Sequence, residues 1–225
     1  MTDLVEFQGM KIVVPNRVED YHTLEEAMHS IVNYHGSLDL VIDIGAHVGA
    51  VSLVAAKKGA KQVIAYEAES RNYQCLCKNV EMNNFIGVIT PLHLAVASVT
   101  GEKRGLYARE TLSGNATFYG VPSAFLEEVE TISFKEILRS HERVDYLKID
   151  VEGAEFEFIS PDEEMKQLFT RVTFLDLETH PGWISSGTPE ELRSKIKWNI
   201  GSHNDELINF IKTCGFLDFY GGYRR

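Results

Sequence analysis

The 225-residue chain is 44% hydrophobic and 24% charged and carries a net charge of −11. That composition excludes a disordered or low-complexity protein and suits one globular unit with a sizeable core, while the acid excess and scattered Lys and Arg residues disfavour nucleic acid as a partner. Cys75, Cys77 and Cys214 are too few for a disulfide framework, the N-terminus lacks the basic start of a signal peptide, and no apolar run approaches about 20 residues, so a cytoplasmic protein without a membrane segment is expected.

Residues 4–14 hold two β-prone runs around Gln8-Gly9 and predict a hairpin. Thr23 to Glu26 has the spacing of a capping box, and Leu24, Ala27, Ile31 and Tyr34 follow at helical period, so residues 1–36 form a hairpin-and-helix extension packed on a domain spanning 37–225. From Asp39 strands and helices alternate: LDLVIDI, a helix to Lys58, KQVIAYE, and a helix from Ser70 to about Asn83 whose inward stripe is Tyr73, Leu76 and Val80. Cys75 and Cys77 on that helix point apart and have no second Cys/His pair, so they are structural thiols and not zinc ligands. The alternation predicts an α/β fold, a doubly wound, mostly parallel sheet covered on both faces.

A further strand lies in GVITPLHLAVAS, and 99–122 has the composition of a meander or flap. Ser133 to Glu136 is a second capping box, VDYLKID and VTFLDLE are strands, and Thr188 to Glu191 opens a helix after the loop HPGWISSG. A last helix runs from about Asp205 to Cys214, and FLDFY is the final strand. The short C-terminus leaves a six-stranded sheet or one whose edge is filled by EEVETIS.

In open parallel sheets ligands bind beyond the carboxyl ends of the strands. VIDIGAHVG, Val41 to Gly49, lies at such a place, with Asp43 at the strand tip and Gly45 and Gly49 allowing a tight turn and close approach. No GK[ST] follows Gly49, so the turn is not a phosphate-binding P-loop. Glu67, at the end of the next strand, can accept both hydroxyls of a ribose and so points to an adenosine-type ligand. The acid alone does not separate NAD from S-adenosylmethionine. The turn departs from G-x-G-x-x-G, and a sulfonium ligand, which has no pyrophosphate, tolerates Asp43 near its cationic end, so S-adenosylmethionine is preferred and NAD comes second. His47 is a candidate cofactor contact.

LKIDVEGAE repeats the design with Asp150 at a strand tip, followed by Glu152 and Gly153. Lys148, awkward inside a buried strand, is expected to pair with a neighbouring carboxylate. FLDLETHPG places Asp176, Glu178 and His180 at alternate positions. Acids and a histidine gathered at strand tips point to chemistry, and Asp150, Glu178 and His180 could also hold a divalent metal.

VIDIGAHVG, the YEAE segment with Glu67, LKIDVEGAE and LETHP resemble, in that order, the FkbM family of S-adenosylmethionine-dependent methyltransferases, over roughly residues 39 to 220. The resemblance implies a Rossmann-like class I methyltransferase fold and O-methylation of a hydroxyl on a small metabolite or sugar. It assigns Asp43, Gly45, Gly49 and Glu67 to the cofactor, and it matches Asp150, Glu152, Glu178 and His180 to the later motifs. Ala68 departs from the proline expected after the ribose acid.

The expected mechanism aligns the acceptor oxygen with the methyl carbon while a base removes the hydroxyl proton. His180, with an unperturbed pKa near ~6.5, is preferred as that base, with Asp150, also counted among the cofactor contacts, and Glu178 assisting. Tyr107, Phe118, Tyr119 and Trp183 are candidates to line the acceptor pocket. Two alternatives stand beside this. CKNVEMNN resembles a segment of tRNA guanine methyltransferases, which would make RNA the acceptor, and a non-catalytic module could keep only the cofactor pocket.

Overall fold

In the central strands odd and even positions bury against different sets of helices, as strict alternation on a covered sheet requires. The computed structural model describes residues 3–15, 24, 28–108, 116–119, 125–184, 190–199, 201–219 and 222–224. The strands are β1 (Asp3–Phe7), β2 (Met10–Val14), β3 (Leu40–Ile44), β4 (Gln62–Glu67), β5 (Ile89–His93), β6 (Ala95–Ala97), β7 (Lys103–Ala108), β8 (Ala116–Thr117), β9 (Phe125–Ser133), β10 (Val144–Ile149), β11 (Val172–Leu177), β12 (Leu217–Phe219) and β13 (Gly222–Arg224). Helix α1 is described at 24 and 28–33. It is followed by α2 (Ala50–Lys57), α3 (Ser70–Met82), α4 (Phe134–Arg139), α5 (Glu155–Phe158), α6 (Glu163–Phe169), α7 (Glu190–Arg193) and α8 (His203–Thr213).

The main sheet has the order β12-β13-β11-β10-β3-β4-β5. From β11 to β5 it is parallel, and β13 runs antiparallel to β11. On one face Val41, Val63, Tyr146 and Phe174 pack with α1, α2, α3 and the hairpin. On the other, Ile42, Ile44, Leu147 and Ile149 pack with α4, α5, α6 and α8. The chain leaves β3 toward β4 and returns to β10 on β3's other side, so the order reverses between β3 and β10, where an open α/β sheet forms its ligand crevice.

The hairpin forms as expected, with Gln8 and Gly9 both at positive φ, as a two-residue turn of that hand requires. Several expectations are corrected. GVITPLHLAVAS is two strands, and EEVETIS belongs to β9 of a second sheet, β6-β9-β7-β8. The C-terminus therefore supplies the edge of the main sheet as a β12–β13 hairpin, giving seven strands. In α3 the buried positions are Asn72, Cys75, Leu76, Asn79 and Val80. Tyr73 instead stacks on His93 with ring centroids 5.0 Å apart. Ser133 caps α4 without a side-chain hydrogen bond, and the reciprocal half of the box is taken over by Thr100, whose hydroxyl accepts from the Ser133 N–H and donates to the Glu136 carboxylate. The capping box at Thr23–Glu26 and the start of the one at Thr188–Glu191 lie outside the described residues.

Candidate active site

Gly45 and Gly49 both have positive φ, 78° and 89°. A Cβ at Gly45 would stand 1.7 Å from the Asp150 carbonyl oxygen, and one at Gly49 2.4 Å from Leu76 Cδ1. The glycines thus serve close approach within the chain itself: the first lets the turns after β3 and β10 touch, and the second lets α3 pack under the start of α2. Between them the backbone is fully occupied at four points. The N–H groups of Gly45 and Ala46 both donate to the Tyr66 carbonyl and Gly49 N donates to Ala46 O. His47, at φ 53°, donates its N–H to Glu67 Oε2 over 2.7 Å.

Asp43 does not open into the cleft. It is fully buried, and its Oδ2 accepts from both the N–H and the hydroxyl of Ser52, at 3.1 and 2.6 Å. Gly49 has no side chain with which to cap α2, and Asp43 takes over that task from the neighbouring strand. Glu67 lies where expected, at the end of β4. Its other oxygen, Oε1, accepts from Glu69 N at 2.8 Å, and burial pushes its carboxyl up to about 7 despite these two N–H donors.

The register explains Lys148. It faces Asp43 on one neighbouring strand and Asp176 on the other. Its ammonium lies 2.7 Å from Asp150 Oδ2. Burial favours the neutral amine, but Asp150, Asp176 and Asp43 together hold Lys148 protonated well above its ordinary range. Lys148 in turn overcomes the burial of Asp150 and keeps that carboxyl ionised. Asp176, expected to align with Glu178 and His180, turns instead to the Tyr146 hydroxyl at 2.6 Å and Ser30 at 3.0 Å.

The acid–histidine cluster does assemble. His180 Nε2 lies 3.5 Å from Glu178, 3.6 Å from Glu152 and 3.7 Å from Asp150. Burial works against an imidazolium, yet Glu178, Glu152, Asp150 and Glu155 override it and raise His180 to about 9. His180 is therefore protonated at neutral pH, above the ~6.5 expected from an isolated histidine. Among the described residues, the set close enough to share one metal ion is Asp150, Glu152 and His180, so Glu152 takes the place expected for Glu178.

Glu155 is the residue that sequence reasoning missed. It is fully buried, accepts the backbone N–H of His180 at 2.6 Å and of Gly153 at 2.9 Å, and burial raises it to about 7. Glu157, on the same short helix, forms a buried ion pair with Arg104 at 2.8 Å and accepts from Ser98 and the Tyr119 hydroxyl. This ties the second sheet beneath the site, as does Thr117, which donates to the Glu152 carbonyl at 2.6 Å. Phe118 and Tyr119 are buried packing groups, with Arg104 over the Phe118 ring, and Tyr107 packs edge-on to Phe125. The Trp183 side chain lies outside the described residues. A cavity of about 510 Å³ between Ser98, Lys135, Asp162 and Lys197 includes none of the expected site residues.

Residues 43–217 match the family model described as the methyltransferase FkbM domain. The methyltransferase sdnD of Sordaria araneosa is 26% identical over 193 residues, 70% of this chain and 71% of that protein. Among solved structures, a putative RNA methyltransferase from Pyrococcus horikoshii aligns with 88% of this chain and 68% of its own, at 16% identity and a TM-score of 0.39. Trm5 of Methanocaldococcus jannaschii in complex with adenosine aligns at 23% identity and a TM-score of 0.32 over 40% of this chain. The chain spans only 29% of that Trm5 protein's length. No described helix is long and apolar enough to cross a membrane.

Proposed function

The chain belongs to the FkbM methyltransferase family, and from that premise we propose that it uses S-adenosylmethionine to methylate a hydroxyl of a small metabolite or sugar. The observation that carries this proposal is a juxtaposition at the β3/β10 switch point: a glycine turn with four of its N–H groups already engaged lies against a histidine surrounded by carboxylates.

Four backbone N–H groups of the turn, at 45, 46, 47 and 49, are engaged within the chain, so a dinucleotide pyrophosphate would have to break them to be cradled there. Besides its two backbone N–H donors Glu67 takes the Asn72 side chain, and of a carboxylate's four acceptor sites this leaves room for a further donor such as a ribose hydroxyl. Asp43 acts at one remove by holding the start of α2, and half-buried His47 sits in the turn near the charge of Asp150. The bound cofactor supplies an electrophilic methyl carbon. His180, once deprotonated, takes the acceptor's hydroxyl proton, and Asp150, Glu152 and Glu178 stabilise the imidazolium that results. The hard carboxylate oxygens and imidazole of Asp150, Glu152 and His180 equally suit a divalent cation in place of that proton. The three carboxylates outnumber the two cations beside them, His180 and Lys148, and this residual negative charge favours a neutral polyol over RNA.

The test is transfer of methyl label from S-adenosylmethionine to a panel of free sugars, glycosides and polyketide alcohols, with bulk tRNA as the comparison. Label in a hydroxylated small molecule supports the proposal. Label in tRNA alone, or cofactor binding with no transfer to any class, contradicts it.

A further inference from the structure

Asn79 of α3 and the C-cap residue Asn83 act as a substitute strand for the N-terminal hairpin. Asn79 accepts the Val13 N–H at 2.6 Å and donates to the Val13 carbonyl at 3.0 Å, and Asn83 repeats the exchange with Lys11 at 3.1 and 2.8 Å. The spacing permits this, because four helical residues rise about 6 Å and two strand residues about 6.6 Å, so amides at i and i+4 meet alternate residues of an edge strand. The edge of β2 that β1 leaves unpaired is thereby covered.

Asn79 does one thing more. Its amide also donates to the Val48 carbonyl at 2.9 Å, inside the glycine turn. The Val48–Gly49 peptide is thus held at both ends, by Asn79 at the oxygen and by the Ala46 carbonyl at the Gly49 N–H. At the far end of α2, Lys57 donates to the Gln8 carbonyl in the hairpin turn, and Lys58 donates to the Ile31, Val32 and Tyr34 carbonyls at the end of α1. The hairpin-and-helix extension therefore holds the far end of α2 directly and its start through Asn79.

We infer that Asn79 is a positioning residue for the cofactor turn, and that docking of the N-terminal hairpin sets cofactor affinity through it. The amide of Asn79 is fully buried, and its orientation is fixed by the Val13 backbone. When the hairpin is docked, the second amide proton is aimed at Val48. When it is not, the Val48 carbonyl loses its oriented partner, the peptide is held at the Gly49 N–H alone, and the turn on which Glu67 and His47 depend is less tightly fixed. Asn83 touches the hairpin but not the turn, which makes it the control.

This rests on the S-adenosylmethionine reading of the turn, and the experiment separates the two. Calorimetric titration of the full chain with S-adenosylmethionine is run on the wild type, Asn79→Ala and Asn83→Ala. The inference predicts about tenfold weaker binding for Asn79→Ala and less than threefold for Asn83→Ala. Equal effects, or wild-type affinity in a folded Asn79→Ala protein, overturn it. Absence of binding by the wild type overturns the cofactor reading and this inference together. Because Asn79→Ala could fail to fold, amide exchange in the wild type provides a second readout. By reciprocity, the cofactor should slow exchange at Val13 in the hairpin more than at Leu207 in α8. Equal slowing at both sites counts against the inference.

Discussion

The two halves of the site are built in opposite ways. Around the turn at 45–49 the structure spends its hydrogen bonds internally, and one buried carboxylate, Glu67, receives two backbone N–H groups. Around His180 the carboxylates of Asp150, Glu152 and Glu178 stand 3.5 to 3.7 Å away, the first two partly buried and Glu178 exposed. The first half is a finished shape. The second is a concentration of charge whose protonation is set by neighbours, as expected where a proton has to move.

Breaking the charged half should have the largest effect. His180→Ala is expected to lower kcat/KM by about 10² to 10⁴-fold, the usual contribution of a positioned base. With His180 as the proposed base, activity in the wild type should rise with pH along a limb near 9, since only the neutral imidazole accepts a proton. Loss of that limb in His180→Ala, measured from pH 6 to 10, ties it to this residue, and an unchanged profile removes His180 from the role.

Breaking the shaped half acts on stability. Gly45→Ala combines φ 78° with a Cβ 1.7 Å from the Asp150 carbonyl. The strain and forced separation should cost about 2 to 5 kcal/mol, read as a lower denaturation midpoint. A subtler change is Glu155→Gln, which is close in size but removes one of the charges that raise His180 and gives up one of the two backbone N–H bonds that the carboxylate accepts. The pH limb should then move down, by about one unit or less.

The smallest effect is the pH dependence of stability itself. Glu67 and Glu155 are raised from 4.5 to about 7, and His180 from 6.5 to about 9. All three bind protons more tightly folded than unfolded, so their contribution is present at low pH. It is lost as pH rises through about 7 for the two acids and through about 9 for the histidine. Thermal midpoints should decline from pH 5 to 9, and Glu67→Gln should flatten the lower part of that decline.

The strands and their acidic tips were legible because a buried parallel strand has to be an apolar run, and an acid at its end breaks the run visibly. Asp150, Glu178 and His180 were found in this way and do come together. What sequence could not supply were the partners chosen by tertiary contact. Asp43 and Glu67 have the same local pattern, yet one caps a helix from inside the core and the other holds a turn. Glu155 has no local pattern that marks it, because its partner, the His180 backbone, is brought to it only by the fold. The capping box at Ser133 satisfied its local rule and lost to Thr100, which is 33 residues away in sequence. FLDFY does form a strand, β12, but its antiparallel partner β13 was missed because a three-residue strand has too few positions to show a period.

The most direct measurement of the central claim is a calorimetric titration of the purified chain with S-adenosylmethionine and, separately, with NAD, repeated on Glu67→Ala. The account predicts binding of S-adenosylmethionine, its weakening by tenfold or more when Glu67 is lost, and no binding of NAD. Binding of NAD without S-adenosylmethionine, or undiminished affinity in Glu67→Ala, would contradict it.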